Sequence, residues 1–329
     1  MSKKVFISTI PFSVESAQPR IMLEDAGIEY VINPLGRKLR DGELANFVSD
    51  IDAIIAGTEV ISEEVMQHAP KLKLISRVGI GLDGVDLNAA RSQGIEVAYT
   101  PDAPSPAVAE LAIGLMIAGL RKVCLADSEI RAGMWNRYLG RRLGGSVVGI
   151  IGAGRIGSRV LDHLRPFGCK KILVNDIRQN VSSDALFEMC SKERIFSESD
   201  VITLHVPLTT ETRNMITSRE MQLMKKSVFL VNTSRGGIIN EVDLEHALTL
   251  GWISGAAIDV FSEEPYSGSL GKFPHCILTA HMGSMSQDCR TKMEVEATKA
   301  VADFLKGKVM ANPVPEDEYR IQRAAKGGD

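Results

Sequence analysis

Short apolar runs alternate with stretches of helical spacing through the first hundred positions. Residues 5–8, 29–32, 53–56 and 72–77 have the length and character of strands, and 16–26, 41–48 and 63–69 have the spacing of helices, the first and last stopped by Gly27 and Pro70. Such alternation predicts a parallel sheet covered by helices on both faces. The pattern breaks at Thr100-Pro101-Asp102-Ala103-Pro104-Ser105-Pro106, because neither a helix interior nor a central strand accepts prolines this close together. Ser105 and Pro106 then read as the cap and first residue of a long helix expected to reach about Ala132. Its apolar residues Leu111, Ile113, Leu115, Met116, Ile117 and Leu120 go nearly all round the axis. A helix of that kind needs burial on most sides, and contact with a second copy of the chain in a twofold homodimer is one way to obtain it.

The next strand-like run, Val147-Val148-Gly149-Ile150-Ile151, breaks into glycine at once. Gly152, Gly154 and Gly157 stand in the spacing that permits a tight turn, close approach of a pyrophosphate, and close packing of the following helix. Ile156, Val160, Leu161 and Leu164 give that helix one buried face, and Pro166 and Gly168 end it. A second run, 171–175, leads into Asp176, 24 residues past Gly152, where an acid grips the hydroxyls of an adenosine ribose. Further strands are expected at 201–206, 228–232, 255–260 and 276–279, with helices such as 241–248 between them. The total of six predicts a doubly wound dinucleotide fold whose ligands lie beyond the C-terminal ends of the strands.

At 329 residues the chain has material for two domains. The 38 lysines and arginines nearly balance the 41 aspartates and glutamates, and no basic run is longer than pairs such as Arg141-Arg142. Nucleic acid and membrane surfaces are therefore not expected as partners. Residues 1–8 lack the apolar core of a signal peptide, and the longest uncharged apolar stretch, 111–120, is half of what spans a bilayer, so a cytoplasmic protein is expected. Cys124, Cys169, Cys190, Cys276 and Cys289 are scattered without a CxxC, which suits reduced thiols better than disulfides, and no metal is expected.

Three charged residues follow the expected strand ends: Arg235 in Asn232-Thr233-Ser234-Arg235-Gly236-Gly237, Glu264 in Asp259-Val260-Phe261-Ser262-Glu263-Glu264-Pro265, and His281 in Thr279-Ala280-His281-Met282-Gly283-Ser284. Each alone is an ordinary loop residue. Beside a nicotinamide they form a set that reduction of a 2-oxo acid requires. Hydride arrives at the carbonyl carbon while its oxygen gains charge, so an imidazolium must deliver a proton. A neighbouring carboxylate favours that imidazolium and orients it. The forked guanidinium of Arg235 matches the oxygens of the substrate better than a lysine would.

Other stretches complete the picture: Arg77-Val78-Gly79-Ile80-Gly81-Leu82-Asp83-Gly84-Val85-Asp86, Ala107-Val108-Ala109-Glu110-Leu111, Gly133 with Trp135, His205-Val206-Pro207-Leu208-Thr209, and Glu211-Thr212. With the strand-end motifs, they resemble the D-isomer-specific 2-hydroxyacid dehydrogenase family, in its phosphoglycerate-dehydrogenase-like branch, through nearly the whole chain. The resemblance implies two doubly wound α/β domains with a cleft between them: a Rossmann domain (101–285) that binds NAD, inserted into a flavodoxin-like substrate domain (1–100 and 286–329). The chain is then expected to cross back near 284–287, with a helix at 293–305 packing on the first domain.

The same resemblance implies site residues. The substrate carboxylate falls to Arg77 and the amides of Val78, Gly79 and Ile80, with Arg235 and His281 touching substrate and cofactor alike. The amides of Arg155 and Ile156 take the pyrophosphate, as a helix N-terminus independently favours. Further cofactor contacts fall to His205, Val206, Pro207, Thr212, Thr233, Ser234 and Gly283, and Asp259 is the acid near the nicotinamide amide. The family also dimerises through the long helix region.

Two departures matter. The regulatory domain of longer relatives is not expected after Pro313, and Arg178 stands near Asp176 where proline is frequent. Asp176 should favour NADH over NADPH, and Arg178 leaves a 2′-phosphate open. The reading is thus NAD-dependent interconversion of a small D-2-hydroxy acid and its 2-oxo acid. The alternatives are oxidation of a small anion as by phosphite dehydrogenase, or a corepressor-like sensor of bound dinucleotide.

Overall fold

The computed structural model describes residues 2–178 and 187–325. It divides into two units, Met1–Pro104 with Met285–Asp329, and Ser105–Ser284. Residues 326–329, the end of the expected return segment, lie outside the described residues.

In the first unit five parallel strands, β1 (Lys3–Ile7), β2 (Ile28–Ile32), β3 (Ala53–Ala56), β4 (Leu74–Arg77) and β5 (Glu96–Ala98), stand in the order β2-β1-β3-β4-β5. Successive side chains of a strand point to opposite faces. Phe6, Ile54, Ile75 and Val97 therefore build one core, and Val5, Ile7, Ile55 and Leu74 build another. Each such side chain taken from water contributes about 1.5–3 kcal/mol, so both faces need covering. The returning segment closes the second core. Its helix Gln287–Leu305, capped by Ser286, lays Met293, Ala297, Ala300 and Val301 on that face, and Ser76 Oγ donates to Ala297 O at 2.9 Å. Helix Glu316–Ala325 adds Tyr319 to the first core, and its Gln322 side chain meets Leu87 N and Val85 O at 2.7 Å each. The helical spacing at 41–48 yields only a 3₁₀ turn, Glu43–Phe47, entered through Gly42 at φ +80°.

Among the described residues the second unit contains seven parallel strands: β6 (Val147–Ile151), β7 (Lys171–Asn175), β8 (Phe187–Met189), β9 (Val201–Leu204), β10 (Phe229–Asn232), β11 (Gly255–Ile258) and β12 (Cys276–Leu278). Their order is β12-β11-β10-β9-β6-β7-β8, a Rossmann arrangement that reverses direction between β6 and β9. The first unit reverses likewise between β1 and β3, in flavodoxin order. The expected count of six misses β8, a three-residue edge strand whose Phe-Glu-Met gives no apolar run.

The long helix is also corrected. It ends at Leu120, Lys122 takes φ +54°, and a second helix runs Val123–Arg131. Nothing in the local spacing requires the break: the Leu120 carbonyl accepts from Arg141 N at 3.1 Å, which turns the last helical turn toward a distant segment. The first helix buries Ala109, Ala112, Ile113, Leu115, Met116 and Leu120 in its own unit, with Leu111 and Ile117 partly covered, so most of its apolar surface is satisfied internally. The exposed apolar side chains lie in the next stretch: Val123, Ile130, Met134, Trp135 and Leu139, the last two 81% and 97% exposed. Among the described residues no helix is long and apolar enough to cross a membrane.

Candidate active site

The glycine turn after β6 is built by close approach. Gly152 has φ +94°, and a Cβ there would lie 2.3 Å from the His205 carbonyl oxygen; one at Gly157 would lie 1.9 Å from the Gly152 carbonyl oxygen. Any side chain at either position would drive apart β6, β9 and helix Arg155–Leu164. Gly154 caps that helix, and a Cβ there meets only Arg178 Nη2 at 3.9 Å. The first-turn amides, those of Arg155 and Ile156 among them, have no preceding helical carbonyl to bond and carry the positive end of the helix dipole.

Asp176 follows β7 and accepts from Ala153 N at 2.7 Å and from Arg178 N at 2.8 Å, while Arg178 Nε lies 3.0 Å from its Oδ1. Burial opposes its charge, but the Arg178 hydrogen bonds, the two amides and the guanidinium charge outweigh that and hold the carboxyl below its usual pKa. On the far side of the turn, after β9, His205 Nε2 meets Thr203 Oγ1 at 2.9 Å. Its Nδ1 is buried without a hydrogen bond, and burial pushes the imidazole down to about 3. Val206 is half-buried, Pro207 exposed, and Thr212 Oγ1 donates to Pro207 O at 2.6 Å, folding this stretch into a tight loop.

β10, β11 and β12 are neighbours, and their C-terminal ends deliver Arg235, Glu264 and His281 in turn. Arg235 is half-buried, its Nη1 donates to Ser234 O at 2.7 Å, and Asn232 Nδ2 donates to Arg235 O at 2.9 Å. Asn232 Oδ1 accepts both donors of Ser234, which leaves Ser234 committed to its own turn, whereas Thr233 Oγ1 is buried with no hydrogen bond. A Cβ at Gly236 would lie 1.9 Å from Phe261 O, so the Arg235 loop rests directly on the segment leading to Glu264. Glu264 Oε1 accepts from Phe261 N at 3.1 Å, and Oε2 lies 2.8 Å from His281 Nδ1. With Nδ1 donating to the carboxylate, Nε2 is the ring atom left to exchange a proton.

Asp259 holds His281 in place. Its carbonyl accepts from His281 N at 2.7 Å, its Oδ1 accepts from Thr279 Oγ1 (2.6 Å) and Met282 N (2.9 Å), and its Oδ2 accepts from Gly283 N (2.9 Å). This fixes a turn in which His281 has φ +49°, a conformation few non-glycine residues adopt without such bracing. The sequence marks Asp259 as an acid for the cofactor; its role as anchor of the histidine turn is visible only once β11 and β12 are side by side.

In the first unit Arg77 ends β4, 4% exposed, and donates from Nε and Nη2 to Gly81 O at 3.1 Å each, closing the 77–81 loop. Two of the implied substrate amides are corrected here. Val78 N donates to Ala56 O at 2.8 Å as an extension of the sheet, and Gly79 N donates to Thr100 Oγ1 at 2.8 Å. Thr100, which the sequence offers only as the start of a proline-rich break, is thus part of the loop's support.

Residues 113–283 match the family described as D-isomer specific 2-hydroxyacid dehydrogenase, NAD binding domain. A glyoxylate reductase of Thermococcus litoralis is 37% identical over 84% of this chain and 87% of its own length. The chain belongs to the D-isomer-specific 2-hydroxyacid dehydrogenase family. Among solved structures, a glyoxylate reductase from Paecilomyes thermophila is similar with a TM-score of 0.84 and 28% identity, covering 96% of this chain and 99% of that one. A D-lactate dehydrogenase from Aquifex aeolicus, complexed with NAD and lactic acid, is similar with a TM-score of 0.82 and 27% identity, covering 95% and 99%.

As a member of this family the protein is a dehydrogenase using a nicotinamide dinucleotide, and its residues fit that group. The glycines leave a bare backbone before a helix N-terminus, as a pyrophosphate requires. Thr233 Oγ1 and His205 Nδ1 are buried polar atoms still lacking partners at neighbouring strand ends of the same sheet, and a bound polar ligand is one way such atoms are satisfied.

Proposed function

We propose that this chain reduces a short 2-oxo acid of the glyoxylate type to its 2-hydroxy acid, and oxidises the corresponding D-2-hydroxy acid in reverse, with His281 as the acid and base. The observation that carries this reading is the His281–Glu264 pair, 2.8 Å apart, past the ends of β12 and β11, with β10 and its Arg235 loop next in the sheet. The name of the Thermococcus relative supports the choice of substrate.

The dinucleotide, when bound, supplies the hydride that adds to the carbonyl carbon. The protein does the rest. His281 Nε2 gives a proton to the carbonyl oxygen, and Glu264, paired with Nδ1 at 2.8 Å, orients the ring that gives it. Arg235 presents parallel donors to the substrate carboxylate and carbonyl oxygen. In this reading unit 105–284 is the dinucleotide domain and the first unit the substrate domain. Oxidation of NADH followed with glyoxylate, pyruvate and 3-phosphohydroxypyruvate tests the proposal. Turnover highest on glyoxylate is expected, and turnover on none of the three would overturn it.

We also infer a twofold homodimer formed through the 123–139 stretch. Five large apolar side chains there face solvent in the single chain. Sedimentation should give a dimer, and the double variant Trp135→Ser, Leu139→Ser should give a monomer at micromolar concentration.

A further inference from the structure

An aspartate after the second strand of a Rossmann unit selects against a 2′-phosphate because two negative charges would meet there. In this chain that aspartate does not stand alone. Arg178 reaches it three ways: through its backbone N–H at 2.8 Å and Nε at 3.0 Å, both on Oδ1, and through Nη2, 3.4 Å from Oδ2. The same Nη2 donates to Ala153 O at 3.0 Å, inside the glycine turn. The side chain of Asp176 is 7% exposed and that of Arg178 is 62% exposed. At this corner of the site, solvent meets a guanidinium and the carboxylate lies beneath it.

Three features make this more than an ordinary surface ion pair. The guanidinium is braced at two points, on a carboxylate and on a carbonyl of the fingerprint turn, so its position is fixed without a ligand. Gly154 leaves 3.9 Å between a would-be Cβ and Nη2, so the guanidinium occupies the space beside the residue that caps helix Arg155–Leu164. The positive end of that helix and the guanidinium then face the same region, and the charge of Asp176 is cancelled locally.

We propose that Arg178 is a specificity-determining residue that converts an NAD-selecting acid into a corner tolerant of both NADH and NADPH. The inference rests on the assignment of the glycine turn and Asp176 to the dinucleotide. A ribose diol is accepted when Arg178 yields part of the carboxylate to it. A 2′-phosphate is accepted by the guanidinium itself, through charge-assisted hydrogen bonds.

Titration of the full-length protein with NADH and with NADPH, followed by cofactor fluorescence, reads both dissociation constants without turnover. The wild-type constants should lie within about tenfold of each other. Arg178→Ala should raise the ratio of the NADPH to the NADH constant by roughly 10-fold or more, the worth of a hydrogen bond to a charged group. Arg178→Lys, which keeps the charge and loses the fork, should fall between. Asp176→Ala should move the ratio the other way. A ratio unmoved by Arg178→Ala, or a wild type that rejects NADPH by more than about 100-fold, would overturn the proposal. If no variant of Asp176 or Gly154 alters either constant, it is the underlying dinucleotide assignment that fails.

Discussion

Two histidines stand at the C-terminal rim of one sheet, in contrasting surroundings. His205, after β9, has its Nε2 on a threonine hydroxyl and its Nδ1 enclosed without a hydrogen bond; burial lowers its pKa to about 3, so the ring is neutral near pH 7. His281, after β12, has 36% of its side chain open and a carboxylate on Nδ1. The same side chain is thus closed off in one place and, on the proposed mechanism, carries a proton in the other, and what separates the two is a charged neighbour. Residue type at a strand end identifies neither.

The largest expected difference comes from truncating each in turn. His281→Ala should cost at least the ~10²-fold typical of a lost general acid while dinucleotide affinity persists. His205→Gln should keep turnover within a few fold and weaken dinucleotide binding instead, since His205 packs on the glycine turn. Steady-state rates set beside cofactor titrations decide this, and near-normal turnover without His281 would sink the reading. Arg235→Lys should cost roughly 10- to 100-fold, spread over turnover and substrate affinity, because a point charge cannot reproduce the fork.

A finer contrast lies in pH. On the proposed mechanism reduction needs imidazolium at His281 and oxidation the neutral ring, so the two directions should lose rate at opposite ends of the pH scale. Glu264→Gln removes the carboxylate that accepts from Nδ1 and should lower turnover in both directions by loosening the ring; unchanged rates would show that the pair does not position it. His205 speaks only through stability. As pH falls below its ordinary value of 6.5, the unfolded chain takes up a proton that the folded one refuses until about 3, so stability drops across that window. His205→Gln should flatten that part of the denaturation midpoint plotted against pH.

Features carried by short-range pattern are legible in the sequence. The glycines at 152, 154 and 157, Asp176, and the charged residues just past the apolar runs at β10 to β12 all announce themselves within a few positions. What escaped depends on partners far along the chain. The helix break at Lys122 arises where Leu120 O meets Arg141 N, and the ring of Phe229 crowds Gly119 from another element. The amides of Val78 and Gly79 look available until Ala56 and Thr100 are placed against them. That Asp259 also anchors the histidine turn shows only when that turn supplies three donors to its carboxylate. Long-range hydrogen bonds of this kind leave no periodicity to read.

The return of residues 285–329 to the first unit has a consequence for synthesis. Protein domains generally complete themselves as units while the ribosome proceeds from the N-terminus. Here the unit that begins first cannot finish first, because Val5, Ile7 and Leu74 lie bare until Met293 and Val301 have emerged to cover them. The uninterrupted middle unit should acquire protease resistance earlier on arrested nascent chains. For the interval between, the nascent chain carries an open apolar sheet, which is the state a chaperone would meet.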